Sequence, residues 1–220
     1  MLPDAGFLLD ASQELRDLLN RMSVRVTLED GETLFEQGDE GESLYAVSDG
    51  AIELSVLSRE GRKLSLDMLR PGTVFGEIAL FDPSARTATA IAVGPTTVLR
   101  VTNADLLREL RRKPELAIDL VRVAGQRMRW MGRQLSEHVF LPMPSRLARK
   151  VLHLTAHQTA EPKFLEMSQA EIAEFVGATR EAVSKTLSIW KTQGVIEITR
   201  GGVRILDHAT LQAMADLDEL

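Results

Sequence analysis

From Ser168 onward the apolar positions fall three and four apart and then stop at a glycine, the spacing of a helix that ends in a tight turn. Ile172, Ala173 and Val176 make one apolar face, and Ser168 with Glu171 form a capping box at its start, each side chain closing a free N–H group. Gly177 can take the positive φ of a turn. Thr179 is placed to cap a second helix, whose buried side is Val183, Leu187 and Trp190. Further on, Val195 to Ile198 and Val203 to Leu206 are short β-branched runs joined by Thr199-Arg200-Gly201-Gly202, a hairpin signal. Helix, turn, helix and hairpin in that order predict a winged helix-turn-helix.

Upstream the period changes twice. Between Val24 and Val101 the chain reads as short β-rich runs (24–27, 43–47, 51–57, 63–68, 89–93 and 97–101) punctuated by eight glycines, which predicts a β-barrel or jelly roll. From Pro114 to about Val139 the pattern is helical, and Val121, Ala124, Met128, Met131, Leu135 and His138 recur at alternating steps of three and four, a heptad seam. Leu116, Leu120 and Val123 form a second stripe that would pack the start of that helix onto the β domain. The seam reads as either an intramolecular core stripe or a dimer helix, and the dimer is preferred because a palindrome needs two readers about one turn of DNA apart. Pro142 and Pro144 end the helix, and the next one is expected from Ser145 to about His157.

Arg180, Glu181, Ser184 and Lys185 fall opposite the buried side of the second helix, in its first turns. A recognition helix contacts bases there, Arg on guanine and Glu on cytosine, whereas a plain solvated face is the competing reading of the same charges. Ser168, Gln169, Thr179 and Arg200 complete the expected DNA-facing set, and Arg204 is expected to bring a further charge to the phosphates. The net charge of −6 over 220 residues argues against DNA at first sight. Its distribution does not: Pro142 to Arg204 holds nine basic and six acidic residues, a net +3, which leaves −9 on the remainder.

With no cysteine, the chain has no disulfide, thiolate metal site or thiol sensor. No apolar run approaches a membrane span, and Met1 to Ser12 has acidic residues where a secretory signal has basic ones, so a cytoplasmic protein is expected. A metal-dependent enzyme on a jelly roll would need histidines inside the barrel. All four (His138, His153, His157 and His208) follow it. His153 and His157 stand at i, i+4 with Glu161 beyond, but solvated polar residues are the simpler reading and no metal is expected. No nucleophile–base set is present.

One further constellation carries chemistry, the stretch from Phe75 to Ala90. Gly76 allows a close backbone approach, a helical turn from Glu77 to Leu80 presents N–H groups, Arg86 and Thr87 offer donors to a phosphate, and Glu77 can accept from a ribose hydroxyl. A cyclic phosphate–ribose pocket and a structural Arg–Glu pair beside a turn both fit these residues.

The Phe75–Ala90 cassette, the Glu36–Tyr45 stretch with Gly50, the long helix and the Arg180-Glu181 helix together resemble the cyclic-AMP receptor / fumarate-nitrate regulator family of bacterial transcription factors. The match runs from about residue 15 to 212, in that family's domain order. The resemblance implies an α+β chain: a cyclic-nucleotide-binding β jelly roll (1–113), a long dimerisation helix (114–141) and a winged helix-turn-helix (142–220). It implies a homodimer on palindromic double-stranded DNA with a TGTGA-like half-site, working with RNA polymerase and with no membrane partner. Gly76, Glu77 and Ile78 would line the ligand, Arg86 and Thr87 hold its phosphate, and Arg180, Glu181 and Lys185 read bases. Ligand phosphate would draw the Glu77–Arg86 cassette inward and swing the helix pair.

The sequence departs from the family where hydroxyl residues of the dimer helix meet adenine, because Met131 and Gly132 stand there. An adenine amine left unpaired costs roughly 1–3 kcal/mol, about ten-fold or more in affinity. Cyclic AMP is the first expectation for the effector; another ligand, or a regulator with no effector, is the alternative.

Overall fold

Alternation along the β-rich runs produces a single antiparallel sheet in the computed structural model, which describes residues 12–81 and 84–216. In chain order the elements begin with α1 (Gln13–Met22), β1 (Val24–Leu28), β2 (Thr33–Phe35), β3 (Ser43–Leu57), β4 (Lys63–Leu69), β5 (Val74–Phe75) and α2 (Ile78–Phe81). Next come β6 (Thr89–Thr102), α3 (Asn103–Arg112) and α4 (Glu115–Phe140). The sheet runs β1-β6-β3-β4, with β2 added to β6 and β5 to β3. Four of the predicted runs are halves of two long strands, β3 and β6, paired from Ser43↔Thr102 to Ser55↔Thr89.

The predicted break at Gly50 is a bulge instead. Register shifts on both sides of Asp49, and the left-handed Gly50 (φ +77°) lies where an added Cβ would stand 2.5 Å from the Pro95 carbonyl oxygen. Thr96 seals the irregularity, its hydroxyl accepting from Ala51 N at 3.1 Å and donating to Ala51 O at 2.9 Å. Two cores result. Phe35, Tyr45, Val47, Ile52, Leu69, Phe75 and Val98 fill the sheet interior. Leu15, Leu18 and Leu19 of α1, Leu106 of α3, and Leu116 and Leu120 of α4 pack on Leu44, Leu99 and Val101. Each such leucine contributes roughly 1.5–3 kcal/mol, so the start of α4 is fixed to the β domain as its second stripe predicts; the Val123 side chain lies outside the described residues.

The chain divides into two compact units. One runs to Val56 and resumes over Leu66–Gly132; the other holds Leu57–Ser65 and the chain from Arg133 onward. In the latter, α5 (Met143–Thr155), β7 (Phe164–Leu165), α6 (Gln169–Val176), α7 (Arg180–Thr192), β8 (Ile196–Thr199), β9 (Gly202–Ile205) and α8 (His208–Asp216) follow the end of α4. α5 starts two residues before the expected Ser145, because Pro144 sits in the first turn, where a missing N–H leaves no bond unmade. It also ends at Thr155, which leaves His157 off the helix. β7 joins β9 and β8 into a three-stranded sheet. Asp207 caps α8, accepting from the Thr210 hydroxyl at 2.6 Å and from its N–H at 2.9 Å, and these bonds hold its carboxyl below the ordinary aspartate range.

Candidate ligand pocket and nucleic-acid interface

The cassette is assembled where β5 turns into α2. Gly76 is left-handed at φ +75°, and a Cβ there would lie 2.8 Å from the Arg86 Nη1 atom, so the close approach that glycine permits is that of Arg86. The Arg86 side chain is turned inward, the residue being only 7% exposed. Nη2 donates to Ser43 O at 2.8 Å and Nη1 to Gly76 O at 3.2 Å. The guanidinium plane rests on aromatic rings, 4.3 Å from the centre of Phe35 and 5.5 Å from that of Tyr45. Burial lowers the Arg86 pKa, and Tyr45, Asp39 and Glu77 pull it back up. Its Nε is buried and meets no acceptor among the described residues.

Glu77 is equally buried, at 7% exposure, and acts electrostatically on Arg86, so the two residues share one site. Ile78 and Thr87 are exposed beside them, and α2 begins at Ile78, one residue later than predicted. Asp82 and Pro83, within the cassette, lie outside the described residues. Gly132 lies exposed on α4 with nothing within 4 Å of where its Cβ would be. The side chains of Met131 and His138 lie outside the described residues. Sequence reasoning missed the contacts of Phe35 and Tyr45 with Arg86, which strands distant in sequence bring together.

Of the seam, Val121, Met128 and Leu135 stand exposed on α4, and Ile118 and Val139 extend the same apolar stripe at both ends. No helix is long and apolar enough to cross a membrane among the described residues. Nor does any group of three or more His, Asp or Glu among them stand ready to hold a metal ion.

In α6 and α7 the sequence reading and the geometry coincide. Ser168 Oγ accepts from Glu171 N at 3.2 Å while Glu171 Oε2 accepts from Ser168 N at 2.7 Å. Gly177 closes α6 at φ +65°, and Thr179 Oγ1 accepts from Ala182 N at 3.2 Å. Both hydroxyls keep a proton to give to a phosphate. Val183, Leu187 and Trp190 are buried, whereas Arg180, Glu181 and Lys185 are exposed and Ser184 and Gln169 half-buried. Arg200 is exposed at the tip between β8 and β9. Arg204 Nη1 pairs with Glu197 Oε2 at 2.9 Å across the two strands, and its half-exposed guanidinium lies 6.0 Å from the centre of Phe164.

Comparison with known proteins assigns a description to each half. Residues 25–113 match the cyclic nucleotide-binding domain, and residues 145–214 the Crp-like helix-turn-helix domain. The chain is 30% identical over 190 residues to a CRP-like cAMP-activated global transcriptional regulator of Mycobacterium tuberculosis, a match covering 84% of this chain and 85% of the relative. It is 33% identical over 185 residues to the cyclic AMP receptor protein of Thermus thermophilus, with the same coverage. A solved CRP/FNR-family transcriptional regulator, also from Thermus thermophilus, superposes with a TM-score of 0.75 at 26% identity, over 88% of this chain and 98% of that one.

Proposed function

Because the chain belongs to the cyclic-AMP receptor / fumarate-nitrate regulator family of DNA-binding transcription regulators, we propose that it is a homodimeric regulator controlled by a cyclic nucleotide, cyclic AMP first. The reading rests on Arg86: a nearly buried cation whose Nε has no acceptor among the described residues, placed beside the Gly76 turn and Glu77. A buried donor left unpaired costs about 1–3 kcal/mol, and an anion at this site would relieve it. The ribose hydroxyl would go to Glu77, with Gly76, Ile78 and Thr87 lining the same pocket.

The working parts are the effector domain at 1–113, the dimer helix at 114–141 and the DNA reader at 142–220. Arg180, Glu181, Ser184 and Lys185 face the bases of a TGTGA-like palindrome, and Ser168, Gln169, Thr179 and Arg200 face phosphates. Occupancy of the pocket biases the pair of α4 helices, which sets the spacing of the two readers and thereby the engagement of RNA polymerase. One observation favours a second reading, a regulator competent without effector: Arg86 already has main-chain partners at Ser43 and Gly76.

Calorimetry with cyclic AMP and cyclic GMP separates the two. Under the first reading cyclic AMP binds, Arg86→Leu abolishes the binding, and DNA affinity rises with nucleotide. Competent DNA binding that saturating nucleotide leaves unchanged would establish the second.

A further inference from the structure

Asn103 opens α3, and both hydrogens of its side-chain amide are in use. Nδ2 donates to Ala79 O at 2.9 Å and to Gly41 O at 3.3 Å, while the Asn103 backbone N–H donates to Glu42 O at 2.8 Å. Ala79 lies within α2, a helix of four residues, so its carbonyl is among those that a helix end leaves without an intrahelical donor. The asparagine supplies that donor. A flipped amide would set oxygen against two carbonyl oxygens, so the orientation is fixed by its acceptors. Oδ1, buried, has no partner among the described residues.

The tie reaches the ligand pocket from one side and the helical layer from the other. A Cβ on Gly41 would stand 2.5 Å from Ala79 Cβ and 3.7 Å from Arg86 Cδ, so the loop that Asn103 holds lies directly against the cassette. On the other side α3 is firmly seated. Thr102 caps it, accepting from Asp105 N at 3.3 Å and donating to Asp105 Oδ2 at 2.6 Å, and Leu106 is fully buried with Leu116 and Leu120 of α4.

We infer that Asn103 is a positioning residue for the Gly76–Arg86 cassette: it holds α2 and the Gly41 loop in the arrangement that receives the anion and joins them to the helices that lead into α4. The inference rests on the cyclic-nucleotide reading of the pocket.

The test uses the full chain with cyclic AMP as probe. Asn103→Ala weakens the calorimetric Kd about ten-fold, while the free protein stays fully folded at the temperature of the titration, as a thermal melt checks. In the nucleotide-free chain, hydrogen exchange of the α2 amides quickens about ten-fold while α6 and α7 keep their protection. Should Asn103→Ala fold poorly, Asn103→Leu keeps the volume, removes the donors and carries the same expectations. An unchanged Kd overturns the inference even if exchange rises. If the native chain takes up no cyclic nucleotide, the pocket reading fails by itself, and α2 exchange then decides Asn103: unaltered rates overturn the tie and faster rates sustain it.

Discussion

At Gly132 the α4 backbone carries no side chain, and a Cβ placed there touches nothing within 4 Å. A glycine inside a helix costs roughly 0.5–1 kcal/mol relative to alanine, so this position is both weak and open. Gly132→Ser puts a hydroxyl where the family resemblance places an adenine contact. Cyclic AMP affinity should rise about ten-fold by calorimetry, and an unaltered Kd would mean that the base is held elsewhere. Single residues of the pocket were legible in the sequence because Gly76, Glu77, Arg86 and Thr87 lie within a dozen positions of one another. Phe35, Tyr45 and Asn103 reach Arg86 or α2 only through the pairing of distant strands and loops, so no local spacing announces them.

Elements were legible in proportion to how fully their own sequence determines them. α6 and α7 carry their caps, their turn glycine and their apolar faces within a stretch of about 25 residues, and the structure repeats that reading. β2 and β5, of three and two residues, are too short to have a period, and β7 exists only because β9 offers it an edge. Gly50 and Gly94 read as stops, but each lies inside a long strand, Gly50 at a bulge that the partner strand imposes. α1, α3 and α8 escaped notice beside the stronger β signals, although Ser12, Thr102 and Asp207 cap them. The exposed N-terminal face of α7 leads to a graded expectation in DNA titrations. Arg180→Ala should cost about 1–3 kcal/mol per half-site on a TGTGA-type palindrome and relax preference at one base step, without lowering affinity for random DNA equally. Intact affinity for the palindrome would remove Arg180 from the base-contact set.

For the molecule as a whole, α4 carries the test of the proposed dimer, since its exposed apolar stripe is the kind of face that a second copy would cover. Leu135 is 67% exposed in the single chain, as is Val121, and Met128 is 64% exposed. Leu135→Glu should therefore yield a folded single chain in sedimentation, with affinity for a palindromic site reduced by about 100-fold or more, because the second reader no longer arrives tethered to the first. A variant that stays dimeric would place the seam on another face. The stowed guanidinium of Arg86 has a consequence for such an assembly. In the proposed reading Nε can meet an incoming phosphate without giving up a bond, whereas any shift of Nη1 or Nη2 toward it weakens the bonds to Gly76 or Ser43, so capture is in part an exchange of partners. A balance of that kind is tipped by small changes in the wall around it, which lets closely related chains diverge in what they answer to without altering their framework.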